Sequence, residues 1–412
     1  MDNQRNYNHF VFGIVLVALF LMAAPPAWAD TYYVPDPGHL PDPIVTIQDA
    51  IDIAVNGDVI LVADDTYTGD GNRDIDFLGK AITVKSVNGP TNCIINCQAS
   101  KPQMHRGFYF HTGESSNSIL EGFKIINGVA LAGAAICCDN YSSPTIKNCV
   151  IADCDATDIG GGGIYCGNSD PEIVNCLITG NTSDIVGGAI MCWKSSPILK
   201  GSIICSNTAQ DGAAIACLNQ SNPAIENCTI TDNQAGGSGG AIYTEYDSSP
   251  TLTNCILWND TPDEISVVSG APVVNYSNIQ NGWSGLGNDN IDADPLFADA
   301  PADDYHLHWD SPCINTGDPA GDYTGQVDID GDSRVHLGTV DMGADETGSN
   351  PADFDESGNV NLTDFAELAA AWLSSPADPK YDISQPADDL IDVSDLTVLA
   401  DYWLWQAPWY IP

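Results

Sequence analysis

Two consecutive copies of one unit are SPTIKNCVIADCDATDIGGGGIYCGNS (residues 143–169) and DPEIVNCLITGNTSDIVGGAIMCWKS (residues 170–195). A proline in the opening turn recurs along the chain at spacings of 27, 26, 26 and 27 residues. An Asn-Cys pair and a glycine- and alanine-rich approach to an isoleucine keep the same period, so the middle of the chain is an internal repeat. The prolines are Pro144, Pro171, Pro197, Pro223 and Pro250.

The repeat predicts a parallel β-helix. A leucine-rich repeat has a similar length, but these units contain few leucines and no helical period. Short apolar segments such as Ile164-Tyr165-Cys166 are instead separated by Gly, Asn, Pro and Ser turns. Three short strands per coil, with coils about 4.8 Å apart, would pair every strand with those above and below. We therefore predict an all-β solenoid of about 26 residues per coil.

Asparagines mark two corners of the predicted coil. Asparagine tolerates positive φ better than most residues, and stacked amides can hydrogen-bond along the axis. We therefore interpret these residues as turn ladders rather than sugar ligands. The first column is Asn148, Asn175, Asn227 and Asn254, and the second is Asn181, Asn207 and Asn233.

The start of the solenoid carries a family resemblance. Thr46 and the apolar face of Ile47, Ile51 and Ala54 predict a capped helix over Thr46 to Val55. The stretch TIQDAIDIAVNGDVILVADDTY (residues 46–67) resembles the N-terminal cap of pectin-lyase-like right-handed β-helix proteins. The resemblance spans roughly residues 31 to 346, and we expect the β-helix domain at residues 30–346. The acidic segment from residue 292 to 346 is similar to the end of bacterial secreted β-helix proteins, and is expected to close the helix. Asp328, Asp330 and Asp332 within it suggest either calcium binding or a plain acidic loop.

Charge and composition exclude several classes of protein. With 56 acidic and 12 basic residues the net charge is -44, which argues against nucleic-acid binding. Hydrophobic residues make up 43% of the chain, so global disorder is excluded. The 14 cysteines are predicted to be buried thiols, with a Cys93–Cys97 disulfide left open.

The resemblance implies polysaccharide chemistry, by a lyase or by a hydrolase of O-glycosyl bonds. Neither family's signature motif is present, so the presence of activity stays open. The candidate catalytic residues are His105, Arg106 and His111, where two imidazoles flank a rare arginine. A structural turn and strand is the alternative interpretation.

Three aromatic residues at positions where the repeat predicts outward-pointing side chains are candidates for substrate binding, because exposed aromatic rings can stack on sugars. Isolated aromatic residues also occur on surfaces without a function. The candidates are Tyr165, Trp193 and Tyr243.

The N-terminus predicts export. An apolar run from Val11 to Ala24 is too short for a comfortable membrane span, and Ala27-Trp28-Ala29 has the small-x-small pattern of a signal-peptidase site. We predict a signal peptide over residues 1–29, a secreted or cell-surface location, and no membrane segment after cleavage.

The C-terminal part predicts a calcium loop. In ADFDESGNVNLTD (residues 352–364), oxygen ligands fall at the loop positions that calcium coordination needs, and Gly358 stands at the sharp turn. The predicted ligands are Asp353, Asp355, Ser357, Asn359, Asn361 and Asp364. A second candidate site lacks the glycine and contains Asp382, Ser384, Asp388, Asp392 and Asp395.

This loop is followed by a repeat that resembles the dockerin family. TDFAELAAAWL (residues 363–373) returns as SDLTVLADYWL (residues 394–404), a shift of 31 residues. The resemblance covers residues 353–404 and implies bound Ca²⁺, with a cohesin-like domain or a cell-surface component as partner. A self-contained calcium-stabilised cap or anchor is the alternative. We expect a linker at 347–352 and a small α-helical calcium-binding domain at 353–412.

The sequence as a whole predicts a secreted right-handed parallel β-helix that binds or degrades extracellular polysaccharide. The calcium-dependent module would attach it to a partner or a surface. A noncatalytic surface or adhesion solenoid is the alternative.

Overall fold

A computed structural model of the chain describes residues 29–36, 38, 43–335 and 339–347, and parts of the C-terminal region. In that region the described residues are 352, 354, 360, 362–372, 381, 383 and 390–401. The predicted signal peptide lies outside the described residues, apart from Ala29. Most of the predicted calcium ligands do as well.

The described strands stack in register as a parallel β-helix, which confirms the predicted fold. Each middle coil passes through four sheets in the same order. Sheet 1 consists of Thr31–Val34, Val59–Val62, Thr83–Ser86, Ile119–Glu121, Thr145–Lys147, Glu172–Val174, Ile198–Lys200, Ala224–Glu226, Thr251–Thr253 and Val273–Asn275. Sheet 2 consists of Asp65–Tyr67, Cys93–Asn96, Lys124–Ile126, Val150–Ala152, Leu177–Thr179, Ile203–Cys205, Thr229–Thr231, Ile256–Trp258 and Asn278–Ile279.

Sheets 3 and 4 complete the coil. Sheet 3 consists of Val129–Ala132, Asp155–Gly160, Thr182–Ser183, Thr208–Asp211 and Gln234–Ser238. Sheet 4 consists of Phe108–Phe110, Ile136–Cys138, Ile164–Gly167, Ile190–Trp193, Ile215–Leu218, Ile242–Glu245 and Ile265–Val267. The prediction of three strands per coil missed sheet 3, because all its segments except Val129–Ala132 are mainly polar. Its strands are held by backbone pairing, as between Asp155 and Thr182.

A short helix, α1 (Ile47–Ile53), covers the first coil. Thr46 is its N-cap: the Thr46 hydroxyl accepts from the Asp49 N–H at 3.1 Å, and the Asp49 carboxylate accepts from the Thr46 N–H at 2.9 Å. The helix ends two residues earlier than predicted. Its successor Ala54 is extended, and Asp58 accepts the Val55 N–H at 2.8 Å, which turns the chain into sheet 1.

The first asparagine column adopts the predicted conformation, with φ between 49° and 55° at Asn148, Asn175, Asn227 and Asn254. The second column does not, because the left-handed residue is the preceding one, such as Gly180 or Ser206. Its asparagines are instead buried in a continuous ladder. The Asn181 amide donates to Asn207 at 3.0 Å, Asn207 donates to Asn233 at 2.9 Å, and Asn233 donates to Asp260 at 2.8 Å.

The acidic C-terminal segment packs beside the helix rather than closing its end. We call residues 294–347 the strap. It contains the antiparallel hairpin strands Phe297–Asp299 and Asp304–Leu307, joined by the 3-10 turn Ala300–Ala302. Tyr305 packs against Ile203 and Cys205, because the outward positions of sheet 2 are apolar there. The strap therefore continues the core over the outer face of sheet 2.

All 14 cysteines are buried free thiols, as predicted, and the Cys93–Cys97 disulfide is not formed. Several of them also serve the corner beside the first asparagine column. The thiols of Cys149, Cys176, Cys228 and Cys255 each donate to the carbonyl two residues earlier, at 3.3 Å. At the equivalent position the Ser202 hydroxyl makes the same bond to Lys200 at 3.1 Å, so a hydroxyl can replace the thiol.

The thiols should be unreactive until the chain unfolds. Burial raises the pKa of Cys137, which is 5% exposed, to about 11, and so removes its thiolate at neutral pH. We expect none of the 14 thiols to react with an aromatic disulfide reagent in the native protein, and all of them to react in guanidinium chloride. Fewer than 14 after unfolding would reveal disulfides and contradict the structure.

The asparagine ladder ends on a buried pair of carboxyl groups. Asp260 and Glu264 are 5% and 6% exposed, and Glu264 accepts the Asp260 N–H at 3.2 Å. Among the described residues, the Asp260 Oδ2 and Glu264 Oε2 atoms have no hydrogen-bond partner. Burial raises the pKa of Asp260 to about 7 and, together with the Asp260 charge, that of Glu264 to about 10. A proton held by the pair removes the repulsion between them.

This pair predicts a pH dependence of stability. Both pKa values are higher in the folded chain than the ordinary carboxyl value near 4, so folding takes up protons and the free energy of unfolding falls as pH rises. The loss continues until the pH exceeds the folded pKa values, about 7 for Asp260 and about 10 for Glu264. As the pH rises from about 4 to about 10, we expect the urea unfolding midpoint of Glu264→Gln to fall less than that of the unsubstituted protein. One proton contributes at most about 1.4 kcal/mol per pH unit.

The matched control is Asp158→Asn, which removes an exposed carboxylate from sheet 3. It should keep the pH dependence of the unsubstituted protein. An identical decline in Glu264→Gln would contradict proton sharing at the pair.

Candidate functional site

The outer face of sheet 4 carries one in-register column of outward side chains. Their neighbours in sequence, such as Ile164 and Cys166, point into the core and are fully buried. Successive members are paired across adjacent strands, so each lies directly above the previous one. The column is Tyr109, Cys137, Tyr165, Met191, Ala216 and Tyr243.

The structure brings the three predicted aromatic residues together on this face. Met191 and Ala216 point outward, yet they are 2% and 0% exposed. They are covered because Tyr165, Trp193 and Tyr243 pack around them, with Val186 and Leu218 in the same cluster. The three rings themselves stay half-exposed. We call Tyr109, Tyr165, Met191, Trp193, Ala216, Leu218 and Tyr243 the aromatic face.

The tyrosines of this face are neutral at physiological pH. Burial, with the nearby Asp139 carboxylate, raises the pKa of Tyr165 to about 12. Burial and the Glu245 charge raise that of Tyr243 to about 12, and its hydroxyl donates to Glu245 at 3.2 Å. Both rings therefore offer an apolar surface with an uncharged hydroxyl.

At the N-terminal end of the face, Tyr109 contacts two of the predicted catalytic candidates. The Arg106 guanidinium carbon lies 4.6 Å from the centroid of the Tyr109 ring, a cation–π contact. The His111 ring stacks on the same tyrosine with centroids 4.0 Å apart, and its Nε2 lies 3.2 Å from Asp76 Oδ2. Arg106 and His111 are thus joined through Tyr109.

His105 has a different role. Its Nδ1 lies 2.6 Å from Asp74 Oδ2, while the Arg106 N–H donates to Asp74 Oδ1 at 2.9 Å. The Asp74 carboxylate therefore holds the turn before the strand Phe108–Phe110. This geometry gives His105 a structural partner of its own and places Arg106 and His111 beside the aromatic face.

Sequence reasoning missed Tyr109 and Asp76. Ile75 bridges to Phe108, which places Asp76 beside Tyr109 at the start of the outward column. The proline, Asn-Cys and glycine-rich markers of the repeat begin only later in the chain, so the sequence did not align this coil with the others. What the arrangement offers chemically is a cation for an anionic ligand, an aromatic surface, and an imidazole paired with a carboxylate at His111 and Asp76.

A second cleft lies between sheet 2 and the strap. Its volume is 620 Å³, and Asp232, Trp258, Asp303 and Tyr305 are among its lining residues. The Tyr305 hydroxyl lies 3.0 Å from Asp232 Oδ2 and 3.4 Å from Asp303 Oδ1. Burial raises the pKa of Tyr305 well above its ordinary value, so the hydroxyl stays a donor to these carboxylates. The cleft is therefore acidic and disfavours an anionic ligand.

The C-terminal region contains two described helices, α2 (Leu362–Ala371) and α3 (Val393–Asp401). Asp364 and Asp395 occupy equivalent places in their first turns, and both are 0% exposed. Asp395 accepts the Asp392 N–H at 2.8 Å, and Asp392 accepts the Ser394 N–H at 2.7 Å. The remaining predicted ligands lie outside the described residues: Asp353, Asp355, Ser357, Asn359, Asn361, Asp382, Ser384 and Asp388.

The described helices bear on whether the chain could cross a membrane. None of those in the described part of the chain combines the length and the apolar character that crossing a bilayer requires. The apolar segment of the predicted signal peptide lies outside that part.

Comparison with known structures supports the fold. The crystal structure of pectate lyase Pel9A matches with a TM-score of 0.51 at 14% identity, over 78% of this chain and 96% of that chain. A rhamnogalacturonan lyase (TM-score 0.32, 14% identity) covers 66% of this chain and 91% of its own. A pectin methylesterase in complex with a hexasaccharide (TM-score 0.21, 11% identity) covers 64% and 82%. The first match shows a shared fold.

Comparison with protein sequences gives the family. No curated protein sequence matches the chain. The family described as "Right handed beta helix region" matches residues 45–204 and 195–287, which together span more than half of the chain. These residues contain most of the four sheets and the whole aromatic face. The chain belongs to the right-handed β-helix family.

Proposed function

We propose that the protein binds an extracellular polysaccharide along the aromatic face. The observation that carries the proposal is the convergence of Tyr165, Trp193 and Tyr243 as half-exposed rings on one face. Tyr165 and Tyr243 are separated by three coil steps, about 14 Å at the usual strand spacing. An extended oligosaccharide can contact both rings, and aromatic rings stack on the apolar faces of sugars.

Arg106 gives the N-terminal end of the face a cation for an acidic sugar, beside the carboxylates of Asp76 and Asp139. Arg106 lies beside Tyr109 and can pair with a uronate carboxylate, while Glu245 lies beside Tyr243 at the other end. A polysaccharide that contains uronate would therefore place a carboxylate at Arg106. The name of the similar pectate lyase is consistent with such a ligand.

Degradation of the bound chain is the enzymatic extension of this proposal. Arg106 and His111 are the candidates for proton transfer, because they meet at Tyr109 beside the sugar-binding surface. Unsaturated products would identify a lyase, and new reducing ends without unsaturation would identify a hydrolase. Binding without either product corresponds to the noncatalytic solenoid.

Removing the central ring tests the binding proposal. Trp193→Ala should weaken polysaccharide affinity by about three- to tenfold, the range expected when one aromatic stacking contact is lost. Retardation in gels that contain a neutral or a uronate polysaccharide measures this affinity. If the site is correct, Arg106→Gln should weaken binding of the uronate polysaccharide and leave binding of the neutral polysaccharide unchanged.

Tyr141→Ala is the matched control, because Tyr141 is 81% exposed on a neighbouring turn and outside the aromatic face. It should retain full affinity. Equal retardation of Trp193→Ala, Tyr141→Ala and the unsubstituted protein by every polysaccharide that binds would refute the proposed site.

We also propose that the chain is secreted and that residues 353–404 bind Ca²⁺ and attach it to a cohesin-like domain or a cell-surface component. The motif in residues 353–364 and the 31-residue repeat support this proposal. The buried carboxylates of Asp364 and Asp395 fit it too, since a buried carboxylate is stabilised by a cation. A self-contained calcium-stabilised cap is the alternative.

The calcium proposal predicts that a substitution in the first loop lowers the number of Ca²⁺ ions bound per chain. Asp364→Asn should bind one Ca²⁺ fewer than the unsubstituted full-length protein in isothermal titration, because the last ligand of the first loop loses its charge. Glu367→Gln, on the same helix, is the control and should bind as the unsubstituted protein does. Unchanged stoichiometry and affinity in Asp364→Asn would contradict a calcium site in residues 353–364.

A further inference from the structure

Three segments of the strap meet at His306. This histidine is part of the hairpin strand Asp304–Leu307, Asp330 comes from the loop after Asp328, and Asp345 comes from the end of the strap. The His306 Nε2 atom lies 2.9 Å from Asp330 Oδ2. One ligand atom from each of His306, Asp330 and Asp345 lies within 4.8 Å of the other two. These separations are short enough for one ion to contact all three.

The surrounding hydrogen bonds orient these groups as a metal site would require. The Nδ1 atom of His306 pairs with Asp304 Oδ1, so the other ring nitrogen is presented to Asp330 and Asp345. A metal-bound histidine commonly donates its other ring N–H to a carboxylate, which fixes the orientation of the ring. Asp345 is fixed as well: it accepts the Leu307 N–H at 2.7 Å and the Thr347 hydroxyl at 2.8 Å.

The charge around this cluster is strongly negative. Asp328, Asp341, Asp345 and Glu346 are between 1% and 6% exposed, and Arg334 is the arginine buried among them. Arg334 donates to the carbonyls of Gly343 and Ala344 rather than to Asp345. Buried carboxylates are costly unless a cation compensates them. A divalent ion at His306 would supply that compensation.

Asp328 has a separate role. Its Oδ1 atom accepts the N–H groups of Asp330, Gly331 and Asp332 at 3.0, 2.9 and 2.8 Å. Its Oδ2 atom accepts the Glu346 N–H at 3.2 Å. This carboxylate therefore shapes the loop and holds it to the end of the strap, which leaves Asp330 facing His306.

We propose that His306, Asp330 and Asp345 bind a divalent transition metal ion of the zinc class. One imidazole nitrogen and two carboxylate oxygens suit such an ion, whereas Ca²⁺ prefers oxygen ligands alone. The side chains of His306 and Asp330 are 43% and 53% exposed, so water can reach the ion and complete its coordination. The bound ion connects the hairpin, the Asp328 loop and the end of the strap, and so stabilises the strap on sheet 2.

The test uses the full-length protein, stripped with a chelator and then dialysed against Zn²⁺. We expect the unsubstituted protein to retain one more Zn²⁺ per chain than His306→Gln or Asp330→Asn, by elemental analysis. Zn²⁺ should also raise the melting temperature of the unsubstituted protein by a few degrees and leave that of the two variants unchanged. His308→Gln is the matched control, because this exposed histidine packs on Trp309 outside the cluster.

Substitution by Co²⁺ separates this site from the thiols. Nitrogen and oxygen ligation gives weak visible bands, whereas thiolate ligation adds intense charge-transfer absorption in the near ultraviolet. Far-ultraviolet circular dichroism of the stripped proteins verifies that each variant is folded. Equal Zn²⁺ retention in the unsubstituted protein and both variants, thiolate bands, or binding of Ca²⁺ in preference to Zn²⁺ at His306 would overturn the proposal. If Zn²⁺ retention is equal, the cluster is an ion pair between protonated His306 and Asp330.

Discussion

The structure depends on in-register stacking of its coils. Parallel pairing satisfies the backbone of every coil only if the next coil repeats the same path, so corner positions must carry side chains that also pair along the axis. The buried amides of Asn181, Asn207 and Asn233 do this, and each would cost about 1–3 kcal/mol if left without a partner. The buried serines of the turn before sheet 1 act similarly, as where the Ser142 N–H donates to the Ser169 hydroxyl at 3.0 Å.

The same register creates the functional surface. Because each coil places equivalent residues in one column, a ring on one strand lies above a ring or a small residue on the next. Ala216 has no bulk to separate its neighbours, so Tyr243 and Met191 approach from either side. On sheet 2 the strap packs on outward residues such as Ile203, Cys205 and Ile256. On sheet 4 the aromatic face remains accessible to a ligand.

The sequence predicted the features that repeat and missed those that do not. Pro144, Asn148 and Cys149 recur with a fixed period, and the fold, the corner conformation and the buried thiols follow from them. Sheet 3 was missed because most of its segments are polar and pair through their backbone. The link between Arg106 and His111 was also missed, because it depends on Tyr109 in a coil that the periodicity does not reach. The cluster at His306 joins three segments without a common motif. The spacing of Asp328, Asp330 and Asp332 indicated Asp330 as an acidic ligand, but nothing in the sequence linked it to His306 or Asp345.

The position of a bound sugar defines the functional site. The most direct measurement is a crystal structure of the full-length protein with an oligosaccharide cut from the polysaccharide that retards it most. We predict sugar rings against Trp193 and Tyr165, with a carboxylate within hydrogen-bond reach of Arg106 if the ligand is a uronate. A sugar bound instead in the 620 Å³ cleft between Trp258 and Tyr305, with the aromatic face empty, would contradict the account.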